Sequence, residues 1–109
     1  MNWTPLVSIE QLDAIREASN QVPQVIFKHS TRCSISSMAL NRLERELAPE
    51  NAVFYYLDLL QYRSVSNEVA EMFQVHHESP QVLVIKNGTC IYDESQYGIS
   101  MQEIAEQIA

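Results

Sequence analysis

The chain has 109 residues, of which 46% are hydrophobic and 19% charged, a composition that predicts one globular domain spanning residues 1–109. Its net charge is −7 and its seven Lys and Arg residues are scattered, which argues against a nucleic-acid-binding surface, because such surfaces cluster positive charge. No apolar run approaches the ~20 residues of a membrane span. With no signal-peptide pattern at its start either, we expect a cytoplasmic protein that does not engage membranes.

The first half of the chain predicts helices and strands in alternation. The capping-box pattern from Ser8 to Gln11 predicts a helix that continues to about Asn20, and a short strand near Trp3 is a further option. A buried strand follows over Gln24–His29. The next helix is expected to end before a proline, Pro49, and to bury apolar residues at every fourth position, namely Ile35, Ala39, Leu43 and Leu47.

The second half predicts two more helices and three strands. Residues 53–57 form a buried strand in which Tyr55 and Tyr56 are expected to join the core, and an apolar stripe then predicts a helix over residues 65–73. The Asn87-Gly88 pair predicts a hairpin between strands 82–85 and 89–93, and Ser100 opens a last helix. The order α-β-α-β-α-β-β-α predicts an α/β fold, with a mixed sheet of four to five strands and helices on both faces.

Cys33 is the strongest candidate for a reactive group. It lies between the predicted strand 24–29 and a predicted helix, where backbone N–H groups and the helix dipole favour a thiolate over a thiol. A buried packing cysteine is the alternative, and it fits this position less well. Ser36 stands three residues later, where dithiol redox motifs carry their second cysteine. The sequence therefore predicts a redox site with one sulfur atom.

Several polar residues near these positions admit two interpretations. The hydroxyl of Ser36 either donates to the Cys33 thiolate or satisfies backbone groups in the first helical turn. His29 either tunes Cys33 or is a satisfied structural group, and we favour the latter. His76 and His77 are adjacent and lack a third ligand at useful spacing, so we expect no metal site there.

The element order, with Cys33 at the first strand-to-helix turn and Pro80 before the hairpin, resembles the thioredoxin fold across essentially the whole chain. Within that superfamily, Thr31-Arg32-Cys33-Ser34-Ile35-Ser36 resembles the monothiol bacilliredoxin-like proteins of the bacillithiol system. The tracts Ser79-Pro80-Gln81 and Lys86-Asn87-Gly88 are similar to the same family. The resemblance implies thiol–disulfide exchange with mixed disulfides between bacillithiol and protein cysteines. Cys33 would be the attacking thiolate, and no cofactor would be bound.

The same resemblance implies roles for the neighbours of Cys33. Pro80 is expected to be a cis-proline facing Cys33, with Ser79 presenting backbone groups to an extended client peptide. Arg32 either assists Cys33 and meets a carboxylate of the small thiol, or is a solvated loop residue, which we favour slightly. Thr31 is expected to lie near the site. In such a sheet Cys90 is expected at the far end, where it packs and does not pair with Cys33.

Two other functions remain open. Monothiol glutaredoxins use glutathione and share iron–sulfur clusters, but they typically carry a Cys-Gly-Phe-Ser motif and a glycine pair. Here the tetrapeptide is Cys33-Ser34-Ile35-Ser36, and the only glycines are Gly88 and Gly98. A non-catalytic thioredoxin-fold binding module would instead hold Cys33 as a site of modification without turnover.

Overall fold

Five strands and four helices follow one another in the computed structural model, which describes residues 1–109. The strands are β1 (Trp3–Pro5), β2 (Gln24–His29), β3 (Val53–Asp58), β4 (Gln81–Lys86) and β5 (Thr89–Ser95). The helices are α1 (Ile9–Ala18), α2 (Ser34–Arg45), α3 (Arg63–Phe73) and α4 (Met101–Ile108), with a 3₁₀ turn over Gln96–Gly98. The predicted order is confirmed, including the short first strand. None of the helices has the length and apolar character needed to cross a membrane.

The strands form one mixed sheet in the order β1-β3-β2-β4-β5. Strands β1, β3 and β2 run parallel, whereas β4 runs antiparallel to β2 and β5 antiparallel to β4. In the central pair Lys28 lies opposite Gln81 and Gln24 lies opposite Ile85. The carboxyl end of β2 and the amino end of β4 therefore meet at the same edge of the sheet, which we call the β2-end edge.

Each face of the sheet is covered by two helices, as the α/β prediction requires. Alternating strand residues divide the apolar side chains between two cores, because successive side chains of a strand point to opposite faces. One core lies beneath α2 and α4 and includes Val25, Phe27, Ala39, Leu43, Val82, Val84 and Ile104. The other lies beneath α1 and α3 and includes Leu12, Ile15, Ile26, Val65, Val69, Leu83 and Ile85.

Helix α2 is shorter than predicted and buries a different set of side chains. It ends at Arg45, and Leu47 is 95% exposed beyond it. Ile35 is only half-buried, whereas Ser36 is completely buried. A spacing of four residues does not keep side chains on one face of a helix, because each step advances ~40° past a full turn. Positions 35 and 47 would therefore lie ~120° apart around the helix. Tyr55 and Tyr56 are partly buried and pack against the two cores, as expected for residues that join the core.

Strand β4 lies inside the sheet, between β2 and β5, and its buried residues should be sensitive to loss of volume. We expect Ile85→Ala to lower the free energy of unfolding by about 2–5 kcal/mol, because it leaves a cavity in the core beneath α1 and α3. Ile91→Ala is the matched control, since Ile91 is 44% exposed on the edge strand β5 and should cost far less. Urea unfolding of both variants measures the difference, and equal losses would contradict this assignment of the core.

Candidate functional site

Cys33 is the N-cap residue of α2, at the β2-end edge. Its backbone N–H donates to the carbonyl of Ser30 at 3.2 Å, and its carbonyl accepts from the N–H of Ser37 at 3.0 Å. Its side chain is partly exposed, and its Sγ makes no hydrogen bond. The first-turn N–H groups of a helix and its dipole stabilise negative charge at this position. The thiol is therefore accessible at the N-terminus of α2.

The hydroxyl of Ser36 is bonded away from Cys33. Ser36 is fully buried, its Oγ accepts from the N–H of Ser30 at 3.0 Å, and it lies 2.6 Å from Nδ1 of His29. The Ser36 hydroxyl and the His29 imidazole are therefore hydrogen-bonded to each other. No hydrogen bond joins Ser36 to Cys33. Of the two interpretations of Ser36, the structure fits the one in which it satisfies nearby backbone and structural groups.

His29 is a buried structural group directly beneath the turn that carries Cys33. Its ring lies 5.8 Å from that of Phe27 and 5.4 Å from that of Tyr56, between centroids. Burial lowers the pKa of His29 below its ordinary value, and the negative charge of Asp58 opposes that shift. The imidazole is therefore neutral near pH 7, and it is hydrogen-bonded to Ser36 as an uncharged group.

Ser79 and Pro80 lie at the same edge of the sheet as Cys33, joined by a cis peptide bond. Pro80 is buried, and its carbonyl accepts from the N–H of Gln96 at 3.1 Å. The hydroxyl oxygen of Ser79 is buried without a hydrogen-bond partner. The pairing of β2 with β4 thus brings the predicted residues of both segments to one end of the molecule.

Thr31 and Arg32 occupy the exposed turn between β2 and Cys33. Neither side chain makes a hydrogen bond or an ion pair. This placement fits a solvated arginine in the absence of a ligand, and the guanidinium of Arg32 is free to meet an anion. Their roles toward a small thiol stay predictions.

Cys90 lies at the opposite end of the sheet, as expected. It pairs with Ile85, which lies opposite the first residue of β2, Gln24. Both cysteines are free. The Cys90 thiol is partly buried against the core beneath α1 and α3 and donates to the carbonyl of Tyr92 at 3.2 Å, and burial raises its pKa to about 11. Cys90 is a packing residue and leaves Cys33 as the one sulfur atom at the site.

The sequence interpretation missed a buried cation close to this site. Lys28 is completely buried, and its Nζ donates to the carbonyl of Ser66 and contacts Nδ1 of His77, both at 3.2 Å. A lysine within an otherwise buried strand was the signal available in the sequence, because lysine is almost never fully buried without partners. His76, by contrast, is exposed and lies 3.8 Å from a carboxylate oxygen of Glu78.

The chain is similar to one protein family and to several solved structures. The family model described as monothiol bacilliredoxin BrxC matches residues 4–104. A structure described as a candidate oxidoreductase with a thioredoxin fold is 29% identical, with a TM-score of 0.81 over 94% of this chain and 89% of that one. Malassezia sympodialis thioredoxin is 18% identical, with a TM-score of 0.75 over 98% and 88% of the two chains. Mitochondrial thioredoxin 3 from Saccharomyces cerevisiae is also 18% identical, with a TM-score of 0.71 over 97% and 92%. The last two likenesses establish the thioredoxin fold.

The contrast between the two cysteines predicts selective alkylation. With limiting iodoacetamide at pH 7, intact-mass spectrometry should show one addition, located at Cys33 by peptide mapping, because the Cys90 thiol is partly buried and its pKa is about 11. Labelling of Cys90 should accelerate about tenfold per pH unit as the pH rises toward that value. Cys90→Ser should label like the parent protein and Cys33→Ser only slowly. Equal labelling of both cysteines at pH 7 would contradict the structure.

Burial of neutral His29 predicts a loss of stability in acid. Because the folded-state pKa of His29 lies below its unfolded value of about 6.5, the unfolded chain binds the proton first as pH falls. The free energy of unfolding should therefore decrease as pH falls from about 6.5 through the lower folded-state pKa. His29→Gln, measured by urea unfolding at a series of pH values, should show a shallower decrease. An unchanged slope in that variant would show that His29 does not supply it.

Proposed function

Since the chain belongs to the monothiol bacilliredoxin family, we propose that it removes bacillithiol from protein mixed disulfides. The family and the thioredoxin fold support a thiol redox function more broadly. The main observation that supports removal of bacillithiol is the position of Cys33. It is a partly exposed thiol at the N-cap of α2 with no second sulfur beside it. Such a site suits the uptake of a small thiol and does not suit the formation of an internal disulfide.

The proposed step exchanges one disulfide for another. The Cys33 thiolate attacks the bacillithiol sulfur of the client's mixed disulfide, so that a Cys33–bacillithiol bond forms as the client's S–S bond breaks. The client cysteine leaves as a thiolate and takes a proton from solvent. The number of disulfides is unchanged, so this step needs no external reductant. Cys33 stands at the N-terminus of α2 with a partly exposed side chain, where the disulfide of a client can approach its sulfur.

The arrangement around Cys33 determines how the cycle must close. Ser36 offers a hydroxyl already bonded to His29, and Cys90 lies at the far end of the sheet. Neither can attack the Cys33–bacillithiol disulfide. A second thiol-bearing molecule must therefore release the small thiol and restore Cys33.

We place the client and the small thiol on either side of Cys33. The client peptide would lie extended along Ser79 and Pro80, where the backbone offers strand-like hydrogen bonds. Arg32 would meet a carboxylate of bacillithiol, since its guanidinium is exposed and unpaired. Bacillithiol thus acts as the exchanging thiol and not as a bound cofactor. The reaction suits a cytoplasm that keeps protein thiols reduced.

Intact-mass spectrometry tests this proposal directly. The reduced protein is mixed with clients carrying bacillithiol, glutathione or cysteine on one cysteine, and the masses of both proteins are followed. We expect the bacillithiol mass to leave its client and appear on this chain, with transfer abolished in Cys33→Ser and retained in Cys90→Ser. The second variant is the matched control because it removes the other thiol.

The three clients separate the competing functions. Transfer mainly from the glutathione client would favour a glutaredoxin-like activity and would contradict the proposed small thiol. If no client loses its modification, the catalytic proposal fails and a non-catalytic binding module becomes the better account. Retained transfer in Cys33→Ser would show that Cys33 is not the nucleophile.

A further inference from the structure

Two buried polar side chains stand next to each other where β2 and β4 pair. Lys28 and Gln81 lie directly opposite one another in the antiparallel register, so their side chains emerge on the same face of the sheet. That face is the one covered by α1 and α3. Lys28 is 0% exposed and Gln81 1% exposed. We call this pair the side-chain clip, because both residues reach the same stretch of chain.

That stretch is residues 76–79, which leads from the end of α3 to Pro80. Nζ of Lys28 lies 3.2 Å from Nδ1 of His77. Nε2 of Gln81 donates to the carbonyl of His76 at 2.9 Å, and Oε1 of Gln81 accepts from the N–H of Glu78 at 3.4 Å. Residues 76–79 make no backbone–backbone hydrogen bond. The polar contacts to these residues from the sheet come from these two side chains.

We propose that Lys28 and Gln81 are positioning residues that hold residues 76–79, and through them Ser79 and Pro80, in the path that receives a client protein. This inference rests on the proposed function, because it assigns the clip to the client side of that reaction. Ser79 directly follows the last clipped residue, Glu78, and Gln81 directly follows Pro80. A displacement at His77 therefore moves the peptide that the client would pair with. Cys33 lies on the other segment and keeps its own hydrogen bonds.

The clip also makes this path sensitive to pH. Burial lowers the pKa of Lys28 to about 8, so its amine loses the proton as pH rises through that value. The pKa of His77 is lowered by burial first, then by the charges of Lys28, Arg63 and His76, and is raised by Glu78. Neutral His77 therefore accepts from a charged Lys28 near pH 7. Above about pH 8 the same contact joins two neutral groups and is weaker.

Lys28→Met tests the inference, because methionine keeps the length and apolar packing of the side chain without its charge. The matched control is Lys86→Met, which removes the only other lysine, at the far end of β4. Two reactions are measured at pH 7 and pH 9: turnover of a bacillithiol-modified client with added bacillithiol to restore Cys33, corrected for the rate without the protein, and reaction of Cys33 with hydroxyethyl disulfide. The small disulfide reports the reactivity of Cys33 alone, so the ratio of the two rates isolates client positioning.

At pH 7 we expect Lys28→Met to raise the KM for the client about tenfold, the size of one charge-assisted hydrogen bond. Its reaction with hydroxyethyl disulfide and the kcat for the client should change less than about twofold, which is within the spread of surface substitutions. In the parent protein the ratio of the client rate to the hydroxyethyl disulfide rate should fall between pH 7 and pH 9. In Lys28→Met the same ratio should not change with pH. Lys86→Met should behave as the parent. Equal losses in both reactions, or an unchanged KM, would overturn the inference.

Hydrogen exchange at the Glu78 amide separates this inference from the proposed function. Its N–H is bonded only to the Gln81 side chain, so Gln81→Leu and Lys28→Met should both speed its exchange at pH 7. If the parent protein transfers no bacillithiol, the proposed function fails, and this exchange rate alone decides whether the clip holds residues 76–79. Unchanged exchange in both variants would show that it does not.

Discussion

Antiparallel pairing of β2 with β4 is the constraint on which the site depends. Because Lys28 lies opposite Gln81, the strand that leads into Cys33 ends where the strand that follows Pro80 begins. Cys33 and the Ser79-Pro80 segment, from distant parts of the chain, thus share one edge. The same pairing directs Cys90 to the other end of the sheet, beside Ile85. One register therefore assembles the site and also isolates its single sulfur atom.

The buried polar side chains near the β2-end edge mainly connect segments of the backbone to one another. Ser36 occupies the place of a resolving thiol, yet its hydroxyl bonds to Ser30 and His29 and joins the first turn of α2 to the end of β2. On the other face of the sheet, Lys28 and Gln81 do the same for residues 76–79. Both segments at the β2-end edge are thus contacted by buried polar side chains, which are costly to leave unpaired.

Local rules were sufficient to predict the element order, the N-cap position of Cys33 and the hairpin at Asn87-Gly88, because capping and turn signals act over a few residues. Contacts between distant segments could not be predicted in this way. Lys28 and His77 are 49 residues apart, and nothing near either one indicates the other. The predicted extent of α2 was wrong for a related reason. The apolar spacing suggested that Leu47 is buried, but no other element of the structure covers it.

The central claim is that this site works with one sulfur atom and cannot resolve its own adduct. The most direct measurement mixes the reduced protein with excess bacillithiol-modified client and no added thiol, counts the client molecules released per chain, and follows with non-reducing peptide mapping. The account predicts one bacillithiol per chain, held on Cys33 and stable until a thiol is added, with no link to Cys90. Release of several client molecules per chain, or a disulfide between Cys33 and Cys90, would contradict it.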